Sequence, residues 1–199
     1  MTLVGNDIID LTLAEKSLAL RERFLKKAFC SSERDLILSS KDSAGVLWLL
    51  WSMKESAYKA HVRMTLEPKL NPICFVCQLS GEGRGRVLID SSEYHTQSFR
   101  EPRFIHTIAF STYDEPMGLK SVVVRGSSHD TIRQRLLREV KRCYSVEKKV
   151  GFESVEFKKD HNGFPAVKVS GSAAGEHPCS ISHHGSYGAY AIAFGEASD

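Results

Sequence analysis

The chain of 199 residues balances 27 Lys+Arg against 24 Asp+Glu, a formal net charge of +3, with 42% hydrophobic and 26% charged residues. That is the balance of an ordinary globular protein, and it excludes a disordered tail, a collagen-like fibre and a disulfide mini-scaffold. No apolar run approaches the ~20 residues of a membrane span, and the first residues, which already contain Asp7 and Asp10, lack a signal-peptide layout, so a cytoplasmic protein without a membrane partner is expected.

Taken in chain order, Leu3 to Leu11 is rich in Leu, Val and Ile and predicts a first strand carrying Asp7. Leu13 to Phe29 follows as an amphipathic helix, with Leu18, Leu20, Phe24, Leu25 and Ala28 on one face and Arg21, Arg23, Lys26 and Lys27 on the other. Ser31 or Ser32 is expected to cap a short helix through Ile37, and Ala44 to Val62 predicts a long helix containing both tryptophans. Strands are predicted at Pro72 to Leu79, Arg86 to Ile89, Phe104 to Phe110 and Leu119 to Val124. Beyond Gly126-Ser127-Ser128, a second amphipathic helix spans Asp130 to Tyr144. Strands then come at Ser154 to Lys158, Ala166 to Val169 and Tyr187 to Phe194, with His161-Asn162-Gly163 as a hairpin turn. The order implies an α+β fold of two halves, 1–126 and 127–199. The five cysteines (Cys30, Cys74, Cys77, Cys143, Cys179) are odd in number, and the Cys74/Cys77 pair has no second pair to close a metal site, so buried, reduced thiols are expected.

Three motifs carry chemistry. Gly5-Asn6-Asp7 puts a carboxylate on a strand whose backbone is open at the glycine, while Asp10, ahead of Leu11-Thr12, reads as a helix cap. In Trp51-Ser52-Met53-Lys54-Glu55-Ser56-Ala57-Tyr58-Lys59, Glu55 and Lys59 share a helix face. A surface ion pair is the ordinary reading of that spacing, and the surrounding aromatics favour a partly enclosed site instead. Pro178 to Gly185 (PCSISHHG) gathers hydroxyls and imidazoles in a loop between two short strands, where they could hold phosphate or simply form a polar turn. No Gly-x-Ser-x-Gly elbow or His-x-x-x-His helix supports a serine or zinc hydrolase. A nucleic-acid binder would need aromatics interleaved with Lys/Arg on an open sheet, whereas Phe104 and Phe110 read as core.

Together the Gly-x-Asp strand, the Trp-Ser-x-Lys-Glu-Ser-x-x-Lys helix and the late Ser-Ile-Ser-His strand resemble the 4′-phosphopantetheinyl transferases. The Arg23-to-Phe29 segment and the Asn162-Gly163-Phe164-Pro165 turn are similar to further family features. The resemblance implies two similar half-domains, each a small, mainly antiparallel sheet against helices. It also implies transfer of phosphopantetheine from coenzyme A to a serine of an apo acyl or peptidyl carrier protein, releasing 3′,5′-ADP; a non-catalytic coenzyme A or carrier-binding relative is the alternative. By the same resemblance Asp7 and Glu55 would hold Mg²⁺, Lys59 would contact the diphosphate, and Ser182 and His183 would meet the coenzyme's phosphates. The serine's proton would go to Glu55 or to a metal-bound water. Two positions depart from the pattern. Ile9 stands where two-domain members have a third acid, as in the small synthases, and Phe164 stands where a Lys or Arg contacts the nucleotide, so Lys158, Lys159 or Lys168 would substitute. Carrier docking is expected on Arg21, Arg23 and Lys26, with the basic segment from His129 to Lys149 as a second candidate face. The motif order matches the small trimeric synthases, whose sites lie between subunits, yet the length favours a pseudo-dimeric monomer that brings Ser182 and His183 to Asp7 and Glu55 within one chain.

Overall fold

A computed structural model describes residues 3–14, 22–81, 83–111, 118–126, 128–147, 151–171 and 175–194. Among these residues ten strands form two antiparallel sheets of five. The first comprises β1 (Val4–Asp10), β2 (Val76–Gly81), β3 (Arg84–Ile89), β4 (Ser92–Glu101) and β5 (Phe104–Phe110), in the order β1-β5-β4-β3-β2. The second comprises β6 (Leu119–Arg125), β7 (Ser154–Lys159), β8 (Pro165–Ser170), β9 (Gly175–His184) and β10 (Tyr187–Ala193), in the order β6-β10-β9-β8-β7. The helices are α1 (Leu11–Ala14), α2 (Glu22–Ala28), α3 (Ser31–Ser39), α4 (Ser43–Thr65) and α5 (His129–Arg142). Among the described residues, no helix is long and apolar enough to cross a membrane.

Each sheet lays one face against its own helix. In the first half, Leu47, Leu50, Met53, Ala57 and Ala60 of α4 meet Cys77, Val87, Tyr94 and Ala109 of the strands. In the second, Ile132, Leu136 and Val140 recur at helical spacing on α5 and bury against Val155, Val167, Val169, Tyr190 and Ile192. Val4, Ile108, Phe110 and Ala191 join the two sheets across their other faces. The long helix starts where Asp42 Oδ1 accepts from Gly45 N (3.0 Å) and stops at Leu66, whose φ of 60° places it in the left-handed region.

Several elements differ from expectation for local physical reasons. The predicted Leu13–Phe29 helix is seen as α1 and α2; Leu18, Leu20 and Arg21 lie outside the described residues, as do Ser127, Lys148 and Lys149. Cys30, not Ser31 or Ser32, occupies the cap of α3, because Glu33 reaches back to accept from Cys30 N (2.9 Å). Strand β4 was not expected: SEYHTQSFRE buries only Tyr94 and Thr96, so its apolar alternation is faint. Pro178 to His184 is strand, not loop, since Pro178 pairs with β8 and Cys179 to His184 pair with β10, and Gly185 begins the turn that follows. The sheets change over between Phe110 and Leu119, ahead of the expected seam at 126, because β6 pairs with β10. All five cysteines are free, but Cys74 is exposed and Cys30 half-buried.

Helix α4 could not lie on β1 if Gly5 had a side chain: a Cβ there would sit 2.0 Å from Ser56 O and 2.8 Å from Ala60 N. Gly5→Ala is therefore expected to cost about 1–3 kcal/mol of unfolding free energy, read as a lower urea midpoint. An unchanged midpoint would show that the helix stands off the strand.

Candidate functional site

Because side chains alternate along a strand, β1 serves two interfaces at once. Gly5, Asp7 and Ile9 face α4, and Asn6, Ile8 and Asp10 face the second half. The close approach at Gly5 sets Glu55 and Lys59, one helical turn apart, beside Asp7. Lys59 Nζ donates to Asn6 O (2.8 Å) and Asp7 Oδ1 (3.2 Å). Asp7 Oδ2 is buried and, among the described residues, has no hydrogen-bond partner. Burial, and then the nearby charge of Asp7, push the Glu55 carboxyl above its ordinary range, with Lys59 pulling the other way. Two crowded carboxylates against the single charge of Lys59, with one buried carboxylate oxygen unsatisfied, leave the site net negative and suited to a hard cation. Among the described residues no group of three or more His, Cys, Asp and Glu side chains comes together as a cation site. A cation at Asp7 and Glu55 would thus leave most of its shell to ligand oxygens and water, the habit of Mg²⁺.

The second half approaches from the other side. Strand β1 is an edge, and its outward N–H groups are covered by side chains of β9: Asn6 N donates to Ser180 Oγ and Asp10 N to His184 Nδ1, both at 2.9 Å. Asn6 Nδ2 donates to Ser182 Oγ (2.8 Å) and lies 3.4 Å from His106 Nε2. Asp10 caps α1 through Thr12 N (3.0 Å), as expected, and also accepts from Ser186 N (2.9 Å) in the β9–β10 turn. Ser182 therefore joins the Asp7 strand within one chain, through Asn6. His183 is exposed on the opposite face of β9, its ring edge-on to His129 at the start of α5 (4.6 Å between centroids).

Other residues singled out by sequence divide between surface and scaffold. Lys159 and Lys168 are exposed, and Lys158 pairs with Glu176. The Phe164 ring is covered by Arg63, whose guanidinium carbon lies 5.2 Å from its centroid. Arg63 Nη2 also donates to Pro165 O (2.8 Å) and Cys179 O, tying the end of α4 to the second half. Arg23 and Lys26 are exposed on α2, with Lys26 2.6 Å from Glu22. Lys54, beside Glu55 in sequence, is wholly buried: its ammonium donates to Glu33 Oε2 (2.8 Å), Pro72 O (2.9 Å) and Phe75 O. Sequence reasoning missed Asn6, His106, Ser180 and Arg63. Asn6 carried a local hint as a polar residue in an apolar strand, and Ser180 lay within the hydroxyl-rich Pro178–Gly185 motif without a role of its own.

Three comparisons bear on this geometry. A family model described as the 4′-phosphopantetheinyl transferase superfamily matches residues 3–109, the stretch that holds Asp7, Glu55 and Lys59. No curated protein matches the chain. Among solved structures the chain is similar to the holo-[acyl-carrier-protein] synthase of Thermotoga maritima, with a TM-score of 0.44 and 17% identity over 87% of this chain and 86% of that one.

His106, buried between the two halves, has its pKa lowered from 6.5 to about 4, chiefly by desolvation and further by the charge of Lys59. The unfolded chain therefore gains a proton below pH 6.5 that the folded chain refuses until about pH 4, so this contribution is complete above pH 6.5 and is lost as pH falls through that window. The loss amounts to about 3 kcal/mol. His106→Gln is expected to flatten the drop in urea midpoint between neutral and acid pH; an equally steep drop in the variant would assign it to other groups.

Proposed function

The chain belongs to the 4′-phosphopantetheinyl transferase superfamily, and we propose that it moves 4′-phosphopantetheine from coenzyme A to a serine of an apo acyl or peptidyl carrier protein, releasing 3′,5′-ADP. The observation that carries this reading is the meeting of Asp7, Glu55 and Lys59 across the α4–β1 contact, with Asp7 Oδ2 left without a donor among the described residues. Asp7 and Glu55 would hold Mg²⁺, which when bound neutralises diphosphate charge and stabilises the departing nucleotide phosphate.

The protein's own groups do the rest. Lys59 is a compact point charge tethered at Asn6 O and Asp7, placed for a diphosphate oxygen. The carrier serine's proton would go to Glu55 or to a water at the site. Phosphoryl transfer asks mainly for positioning and charge neutralisation, and so needs no covalent protein intermediate. Ser182 would take one of the coenzyme's other phosphates, whereas His183 faces His129 on the other side of β9. Arg23 and Lys26, with Arg21 before them, would receive an acidic carrier. The Asn6–Ser182 bond supports a complete site in each chain, in a monomer built from two similar halves.

Asp7→Asn and Glu55→Gln remove charge without opening a cavity. Each is expected to leave the melting temperature nearly unchanged and to reduce transfer below about a tenth of the native rate. The assay is mass spectrometry of apo carrier protein incubated with coenzyme A and Mg²⁺, where transfer adds roughly 340 Da. Retention of most activity in both variants would refute the metal role. Mixing Glu55→Gln with Ser182→Ala protein at low coenzyme A is expected to give no more than the Ser182→Ala rate; recovery above it would mean sites shared between chains.

A further inference from the structure

We propose that Asn6 is a positioning residue of this site, acting through Ser182 to orient a hydroxyl donor toward an anionic group of coenzyme A; the inference rests on the transferase reading. Asn6 is completely buried and is held from two directions. Its main-chain oxygen accepts from Lys59 Nζ at 2.8 Å, on the side of α4. Its side chain points the other way, where Nδ2 donates to Ser182 Oγ at 2.8 Å and approaches His106 Nε2 at 3.4 Å. Among the described residues Asn6 Oδ1 has no partner, although it is buried. An apolar residue of the same volume would spare the desolvation of that amide, so packing alone does not account for an asparagine here.

The consequence lies in the serine. A hydroxyl has one proton to give and two lone pairs to receive. With Asn6 Nδ2 donating into Ser182 Oγ, one lone pair is occupied and the serine's proton is left for another acceptor. A phosphate oxygen is such an acceptor, and a charge-assisted O–H···O⁻ bond is a strong one. The bonds of Ser180 to Asn6 N and of His184 to Asp10 N align β9 on β1, and within that alignment the Asn6 amide sets the direction of the Ser182 hydroxyl. The two attachments are separable. Lys59 is held by the Asn6 main chain and by Asp7, which survive substitution of the Asn6 side chain, whereas among the described residues the Ser182 hydroxyl is bonded by the amide alone. Loss of the amide should therefore weaken coenzyme binding and spare turnover.

The test is calorimetric titration of coenzyme A with Mg²⁺ into native protein, Asn6→Leu, Ser182→Ala and the double variant, with kcat measured at saturating coenzyme. Asn6→Leu keeps the volume and is expected to raise the coenzyme Kd about tenfold while kcat stays within about threefold. In the Ser182→Ala background the same substitution should change Kd less than about twofold, because its effect runs through the missing hydroxyl. Asn6→Asp keeps the shape but only accepts, drawing the serine proton away from the phosphate, and should weaken binding at least as much as Asn6→Leu. An unchanged Kd in Asn6→Leu, an equal loss in both backgrounds, or a fall in kcat at constant Kd would overturn the proposal. So would failure of both Asn6 variants to fold where Ser182→Ala folds, which would assign Asn6 to packing. Native protein that binds no coenzyme A would overturn the transferase reading and this inference with it; native binding with unaltered variants would overturn this inference alone.

Discussion

The approach of α4 to β1 at Gly5 is the contact on which the site depends. A helix normally lies about one side-chain layer away from a sheet. Here the backbone of Ser56 comes so near to Gly5 that no Cβ fits between them. At that separation, side chains one helical turn apart on α4 flank a strand residue instead of passing over it. Lys59 can then bond both the main chain of Asn6 and the carboxylate of Asp7, and Glu55 is close enough for Asp7 to raise its pKa. A helix set back by one methyl group would leave these groups as a solvated pair on one element and a lone acid on another.

The helix is held in that position from several sides. Lys54 is the buried counterpart of Glu55: its ammonium and the Glu33 carboxylate satisfy each other, and Glu33 also accepts from Cys30 N and from Cys77 N at 2.8 Å. A buried pair of this kind need not exceed an apolar pair in stability, but it fixes α3, α4 and the start of β2 in one arrangement, since any slip would strand a charge in the core. At the other end of the helix, Arg63 clasps Pro165 and Cys179 and lies over Phe164. The helix that carries Glu55 and Lys59 is thus anchored in both halves.

The seam between the halves uses a different chemistry. Besides the Arg63 clasp and the Phe104–Tyr187 ring contact, it joins an apolar cluster of Val4, Ile108, Phe110 and Ala191 to hydrogen bonds from an edge strand to side chains. Ser180 and His184 cover N–H groups that a neighbouring strand would otherwise take up, and Asp10 seals the β9–β10 turn at Gly185, where a Cβ would meet its carboxylate at 2.3 Å. An edge protected in this way is closed to further strands, and it aligns β9 against β1 residue by residue.

The sequence by itself determined the parts that rest on local spacing. Gly5 before Asp7, Glu55 and Lys59 at i and i+4, and the hairpin at His161 to Gly163 follow from backbone geometry within a few residues. The division into two α+β halves follows from the order of periodic segments. Only the tertiary structure decided what lies on the far side of each residue. It placed β6 with β10, turned Pro178 to His184 into a strand, and sent Ser182 toward β1 while leaving His183 on the other face. It revealed β4, whose mixed residues are explained by partners on neighbouring strands. It also made His106 and Ser182 neighbours of Asn6, and Arg63 a clasp on the second half. These relations join residues about 100 or more positions apart, and no periodicity extends so far. The chain must fold before a polar residue acquires the environment that gives it a purpose.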